Sequence, residues 1–503
     1  MGRWCDLTEG RVPLTEARSA RTSPGSGLRA LIRRIHFYAG MFIGPFIFIA
    51  ALTGAAYAMS PSLEKVVYSD ILAVDTVDNP VPLEEQINNA QAVHPDKPIA
   101  QVWPATEAED PTRVLLLDES LEDGQLRSVF VDPASGQVIG DETSYSGLGE
   151  LPVRKFISET HRDLHLGEPG LLYTELAASW MWFVALGGLV IWLGRARRVR
   201  RMFVGLRARR DDGKAGAVER ARGTRNRFVN LHGVAGTWLI VVMLGISATG
   251  LTWSTYAGEN VSTTIDAISE TPRAIDTSLT DTVPPSSGSA HADHGASHGA
   301  AETKPVSSEE IALQAQTVLD TARSEGLTGE LRLYPPSDGE QGWQASERWE
   351  EWRLTSDAVS VNGQTGEVID RLPFSELPLF SKLTSWGIYL HMGIMFGLPL
   401  QILLCICGLG IAGLVATGYV MWWKRRPTRH GIAGVPGPNR SLAAGEWGIV
   451  AIFLLTVGTF LPLLGISLLV MLIVDQALAR RLAESKAAPR AESTAPPPDT
   501  IDA

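Results

Sequence analysis

Five stretches of this chain carry almost no charge: 35–59, 171–194, 228–253, 384–423 and 447–474. A helix needs about 20 apolar residues to cross the hydrocarbon of a bilayer, so each stretch is long enough. In lipid every backbone polar group must be satisfied within the segment, which makes helices the natural form of such runs. The first stretch ends in Ala56-Tyr57-Ala58, which resembles the cleavage site of an export signal. It exceeds the usual ~7–15 apolar residues of such a signal, so a retained anchor is expected. Pro45 inside it is a candidate kink.

The charges between the stretches orient the helices. The 503 residues sum to a net charge of −11, unevenly spread. Segment 195–227 holds thirteen Lys and Arg against three acids, whereas 60–154 holds five against eighteen. Segments 1–34 and 424–446 are also basic. Basic loops stay in the cytoplasm. The expected order is therefore a cytoplasmic tail (1–32), a first span (33–59), an outside domain (60–156), an interfacial segment with a second span (157–194), and a basic inner loop (195–227). A third span (228–254), a second outside domain (255–380), an interfacial segment with a fourth span (384–423), an inner loop (424–446), a fifth span (447–474) and a tail (475–503) follow. Topology accounts for the basic loop, and no nucleic-acid partner is expected. The three cysteines form neither a disulfide framework nor a zinc spacing.

The chain repeats itself. Arg33-Arg34-Ile35-His36 and Asn230-Leu231-His232 open the first and third spans, and in both copies Gly follows His by four and Thr-Gly by seventeen. In the outside domains, Val129, Val131, Gly136, Val138 and Ile139 match Val359, Val361, Gly366, Val368 and Ile369 at a constant offset of 230. That register continues from Pro169 to Pro399 and from Gly188 to Gly418. Each half reads as a span, an outside helix with a small antiparallel sheet, and a second span. The helices are expected near 83–93 and 307–325. The strands are expected at 113–117, 128–131 and 138–139, then at 331–334, 352–354 and the hairpin 359–369. Parallel repeats of this kind are related by an axis along the membrane normal.

Two histidine sets follow from the repeat. His36 and His232 lie about one turn inside their spans, where ionisable groups are costly and usually functional. The plainer reading is a packing histidine bonded across helices. The sharper one is a facing pair of axial ligands, since neutral imidazole suits haem iron and facing bundle helices often supply such ligands. At the opposite end, the ungapped register matches His161 with His391. A gapped alignment matches His165 with His391 instead, and His165 stays a candidate because it shares a helix face with His161. Arg33, Arg34 and Arg162 could pair with haem propionates, although the first two also serve as inside anchors. A low-complexity insert at 281–305 carries His291, His294 and His298, a candidate weak site for Cu²⁺, Zn²⁺ or Ni²⁺ or a soluble linker.

The Arg33-x-x-His36-x-x-x-Gly40…Thr-Gly helix and its His232-x-x-x-Gly236…Thr-Gly copy, the hairpins Val131–Val138 and Val361–Val368, and His161-Arg162-Asp163-Leu164-His165 together resemble the PepSY-associated transmembrane family over about 33–423. The resemblance implies a multi-pass protein of the bacterial inner membrane with two periplasmic α+β PepSY-like domains. It also implies a dihaem core that reduces ferric siderophores. The expected fold is a membrane α-helical bundle of about five helices, duplicated two plus two with one added. The expected cofactors are two haem b groups, held by His36 with His232 and by His161 or His165 with His391. The expected partners are the lipid bilayer, a ferric siderophore or other ferric chelate, and an electron donor that is a quinol or a reductase. The alternatives are a non-enzymatic PepSY regulator of periplasmic proteins and a metal-handling protein working through the insert.

Overall fold

The computed structural model describes residues 26–77, 79–145, 147–196, 199–205, 217–279, 306–424 and 442–487. The first span is two helices, α1 (Ser26–Phe42) and α2 (Gly44–Ala58), bent by 59°. Pro45 sits in the first turn of α2, and its missing N–H and its ring break the ladder there. Short helices α3 (Ser60–Val67) and α4 (Ser69–Leu72) lead to α5 (Leu83–Val93). Strands β1 (Ile99–Trp103), β2 (Thr112–Leu116), β3 (Gln125–Val131) and β4 (Val138–Tyr145) follow. The chain returns through α6 (Pro152–Arg162) into α7 (Glu168–Ala196).

The second half repeats this order. After α8 (Val199–Val204) come the long α9 (Ala217–Leu251), then α10 (Thr255–Ile268) and α11 (Ser308–Ser324). Its strands are β5 (Leu331–Tyr334), β6 (Trp343–Glu347), β7 (Ala358–Val361) and β8 (Val368–Leu372). Helices α12 (Leu379–His391) and α13 (Gly397–Trp423) mirror α6 and α7. In the bundle, α2 packs on α13, α7 on α9, α9 on α13 and α1 on α7. Small residues permit the closest approach: a Cβ on Gly408 of α13 would stand 2.8 Å from Ala51 O of α2.

The two expected sheets are one. The strand order is β4-β3-β2-β1-β5-β6-β7-β8, and the halves join where Val102 of β1 pairs with Leu333 of β5. One face, with Val102, Val114, Val129, Leu333, Ala345 and Val359, is buried under α5 and α11. Alternation sends Phe130 to the other face, against Ile71 and Leu151. The two hairpins share one turn: Asp132 O accepts from Gly136 N and Asn362 O from Gly366 N, both at 2.8 Å. Gly136 and Gly366 have φ of +69° and +73°, which glycine adopts without steric cost. The strand expected at 352–354 is instead a turn docked on the bundle. Trp352 N donates to Met395 O at 2.8 Å, and Trp386 Nε1 donates to Leu354 O at 2.8 Å.

The last apolar stretch also differs from expectation. The single helix expected over 447–474 is a hairpin of α14 (Ala444–Phe460) and α15 (Pro462–Ala487), turned at Leu461 before Pro462. The helices touch at Gly458 and Gly465, where a Cβ on Gly465 would stand 2.5 Å from Gly458 Cα. Glu446 accepts a hydrogen bond from Leu28 N at 3.2 Å, so α14 starts beside the start of α1. Asn260 reaches Phe460 O at 3.2 Å at the sheet end, and Asp475 returns to meet Arg34. The end of α15 therefore lies at the end of the bundle where α1 begins.

Reporters placed before α1 and after α15 should be accessible from the same side of sealed vesicles; opposite accessibility would contradict the hairpin. A second test concerns Asp118, where Lys97 Nζ at 2.8 Å and Ser120 Oγ at 2.6 Å hold the carboxyl well below its usual range. Such a group adds stability above its unfolded pKa of about 4, and the addition is lost as pH falls through the lower folded value. Lys97→Ala should raise the pH at which the sheet unit unfolds in acid, followed by tryptophan fluorescence.

Candidate paired-histidine sites

Helix α1 points His36 across the bundle at His232 of α9. Their ring centroids are 6.5 Å apart and the planes cross at 87°. At the sheet end, His161 of α6 faces His391 of α12, also at 6.5 Å, with planes at 35°. A metal–imidazole bond is about 2 Å and the ring adds about 1 Å, so two imidazoles gripping one metal ion hold their centroids about 6 Å apart. Both pairs meet that spacing. Among the described residues no group of three His, Cys, Asp or Glu gathers. Protein-only zinc centres draw on three or four side chains, so two imidazoles suit a metal whose remaining positions are filled by a macrocycle.

The hydrogen bonds decide which nitrogen carries the hydrogen. His161 Nδ1 lies 3.0 Å from Thr53 Oγ1, and that hydroxyl sends its own proton to Ile49 O at 3.0 Å. The threonine can then only accept, so Nδ1 carries the hydrogen and Nε2 keeps a lone pair. His391 repeats this with Thr249 at 2.6 Å, whose hydroxyl donates to Gly245 O at 2.9 Å. His232 Nδ1 donates to Leu414 O at 3.1 Å, and a carbonyl accepts only. Metal-binding histidines usually commit their second nitrogen in this way. His36 is the exception: its Nδ1 is buried without a hydrogen bond among the described residues, although Val184, the counterpart of Leu414, lies alongside.

Glycines make room for each ring, unequally in the two halves. A Cβ on Gly54 would stand 2.9 Å from His161 Cε1, but one on Gly250 stands 3.7 Å from His391 Cε1. Likewise a Cβ on Gly188 would stand 3.0 Å from His36 Cε1, against 3.9 Å from Gly418 to His232. Tyr57 stacks on His161 at 6.0 Å and Trp253 meets His391 edge-on at 5.7 Å. Tyr57 Oη also donates to Glu150 Oε1 at 3.2 Å, and Arg154 bridges Glu150 and Glu64 at 3.2 and 3.6 Å. This network ties the His161–His391 pair to the sheet unit.

Other sequence candidates fall elsewhere. His165 does not face His391, because α6 ends at Arg162 and the chain turns left-handed at Leu164 and His165. Arg33 is exposed, Arg34 is bidentate to Asp475 at 2.8 and 2.9 Å, and Arg162 is engaged by Tyr145 and Asp163. His94 pairs with Asp141 at 2.8 Å in the outer unit. His291, His294, His298 and His430 lie outside the described residues. Three contributors were missed. The hydroxyls of Thr53 and Thr249 were visible only as a repeated Thr-Gly. Asp475 was hidden as the lone acid in an apolar stretch, and Tyr38 Oη donates to it at 2.9 Å.

Four of these helices are long and apolar enough to cross a membrane, or five when the bent first pair counts as one span. Together with the duplicated histidine pairs they define a two-fold repeated multi-pass membrane protein. The chain belongs to the family described as the PepSY-associated TM region, whose model matches residues 33–425. No curated protein matches it.

The unequal clearances yield a paired test. Gly54→Ala and Gly188→Ala should displace an imidazole and destabilise the bundle. Gly250→Ala and Gly418→Ala should be tolerated or stabilising by up to about 1 kcal/mol, the usual helical gain. Thermal unfolding of the four purified variants checks this, and equal behaviour across the halves would contradict it.

Proposed function

We propose that this protein carries electrons across the bacterial inner membrane through two haem b groups, one per histidine pair. The single observation that carries the reading is the twofold recurrence of facing imidazoles at both ends of one bundle, three of the four with Nδ1 already committed. His36 and His232 would hold the inner group, and His161 and His391 the outer one. Haem supplies one-electron chemistry when bound. The residues of the chain do the rest. Thr53, Thr249 and Leu414 fix ring orientation and tautomer, and such partners also raise ligand basicity. The apolar walls of α1, α7, α9 and α13 exclude water, which sets the local dielectric and so the potential.

The positions suit a relay. Seventeen residues from His36 to Thr53 make about 25 Å of helix along the chain, shortened somewhat by the bend between Phe42 and Gly44, against a hydrocarbon core of about 30 Å. The basic segments favour a first pair near the cytoplasm, which puts the single sheet and its helices on the periplasmic side in this reading. Electrons enter from a quinol or a reductase and leave to a ferric chelate such as a ferric siderophore. Reduction to Fe²⁺ weakens the chelate and frees the metal without breaking the ligand.

Vesicles sealed with the cytoplasmic face inward and loaded with reductant test the direction. Wild-type protein should reduce an external ferric chelate. His232→Ala should stop that reduction by blocking entry, whereas His391→Ala should stop it while the inner site still reduces. Undiminished reduction by both variants would sink the relay.

A further inference from the structure

Two helices outside the long spans are built inside out. In α3 the buried residues are Ser60 and Glu64. Glu64 accepts from Leu151 N at 2.6 Å and pairs with Arg154 at 3.6 Å. The apolar Leu63, Val66 and Val67 fall within about 100° of one another on the helix and are exposed, Val66 at 73%. In α12 the serines 381 and 385 are buried, whereas Leu379, Leu383 and Leu390 form one exposed row on the opposite side. A helix bathed in water turns its apolar stripe to the core and its polar face outward. The reverse order marks a helix whose outer medium is itself apolar.

The turn 348–354 joins these two helices. Lys65 Nζ of α3 stands 3.5 Å from Glu351 Oε1, Trp386 Nε1 of α12 donates to Leu354 O at 2.8 Å, and Trp349 stacks on Tyr389 with centroids 4.4 Å apart. At the tip of the turn Trp352 has φ of +67°, an outlier for so bulky a residue. Such strain persists only where the surroundings enforce it. Here Trp352 N donates to Met395 O at 2.8 Å and its ring meets Phe396 at 5.2 Å, yet the residue stays 67% exposed. The backbone is held in an unfavourable state that turns an indole outward. Glu122, 230 residues earlier, is exposed and paired with Lys155 at 3.0 Å, so the first half presents a charge at the corresponding place.

We propose that α3, the turn 348–354 and α12 form one belt seated in the lipid interface of the leaflet nearest the sheet. Continuity with the spans identifies lipid as the occupant. Helix α3 begins two residues after α2 ends, and Ser62 Oγ meets Gln401 Oε1 of α13 at 2.6 Å. Helix α12 runs into α13 through the corner 392–396, and the exposed row Leu398, Ile402 and Leu409 carries the apolar surface on along the span. Tryptophan suits the interface because its ring is apolar and its N–H is polar. Lys65 can lay its stem on apolar surface while its ammonium stays beside Glu351. That pair is matched in charge, so apolar contact holds the belt, not attraction to anionic headgroups. His391 is the last residue of α12, and the belt therefore sets the height of one imidazole of the outer pair. The proposal needs the membrane-spanning fold alone and stands apart from the electron-carrying reading.

Site-specific fluorescence of the full-length protein, one chain per phosphatidylcholine nanodisc, tests the belt. Cys5, Cys405 and Cys407 are replaced by Ala, and an environment-sensitive dye is attached to Val66→Cys, Trp352→Cys or Leu383→Cys, with Glu122→Cys as the control. Dyes at 66, 352 and 383 should emit at shorter wavelength than the dye at 122, lose intensity to spin-labelled lipid and resist aqueous iodide. Adding phosphatidylglycerol or salt should leave those readings unchanged, and release by salt would overturn the apolar anchoring. Iodide quenching at 66 and 383 equal to that at 122 overturns the belt, whatever the strained position 352 does. Protection from iodide without quenching by lipid would mean a protein contact, and overturns it as well.

Discussion

A neutral imidazole between membrane helices has one donor and one acceptor, and lipid satisfies neither. The bundle is organised around that constraint. Threonine hydroxyls, already spending their protons on carbonyls one turn back, take the Nδ1–H of His161 and His391, and a backbone carbonyl takes that of His232. What is left in each case is an unprotonated Nε2 on a ring that faces its partner. An unpaired buried acceptor is costly, and the ring centroids of each pair stand 6.5 Å apart, a spacing that fits two imidazoles on one metal ion.

Duplication supplies the geometry. Each half contributes one imidazole to each pair, so neither site exists in a single repeat. The halves are locked together twice, in the bundle by α2 against α13 and α7 against α9, and outside by the β1–β5 seam. Tyr57, Glu150, Arg154 and Glu64 join the two layers beside His161. The α14–α15 hairpin lies beyond the matched family region and is pinned by its own buried charge, Asp475, on Arg34 and Tyr38. Breaking one partner of such a pair leaves an uncompensated charge, which is why the hairpin has a defined seat on α1.

Much of this was legible in the order of residues. The offset of 230 pairs His161 with His391 without a gap, and the His–Thr-Gly spacing of seventeen marks both ends of α1–α2 and α9. That register favoured His161 over His165, but the left-handed corner at Leu164 that turns His165 away has no local signal. Leu461-Pro462 was the only sign of the terminal turn, and continuous apolarity masked it. The joining of two sheets was invisible as well, since β1 was not expected as a strand and its pairing with β5 is a tertiary event. Strand β6 was missed because Ala345 and Ser346 have little strand preference, while Trp352 and Leu354 look strand-like but serve the corner of α12 and α13.

The most direct measurement is the haem content and ligation of the purified full-length protein, read by absorption and electron paramagnetic resonance in the wild type and in single His→Ala variants at 36, 232, 161 and 391. The account predicts two haems per chain with two axial histidines each. One should be lost or altered on changing His36 or His232 and the other on changing His161 or His391, with His165→Ala affecting neither. A folded protein without haem absorption, or a spectrum indifferent to all four histidines, would contradict it.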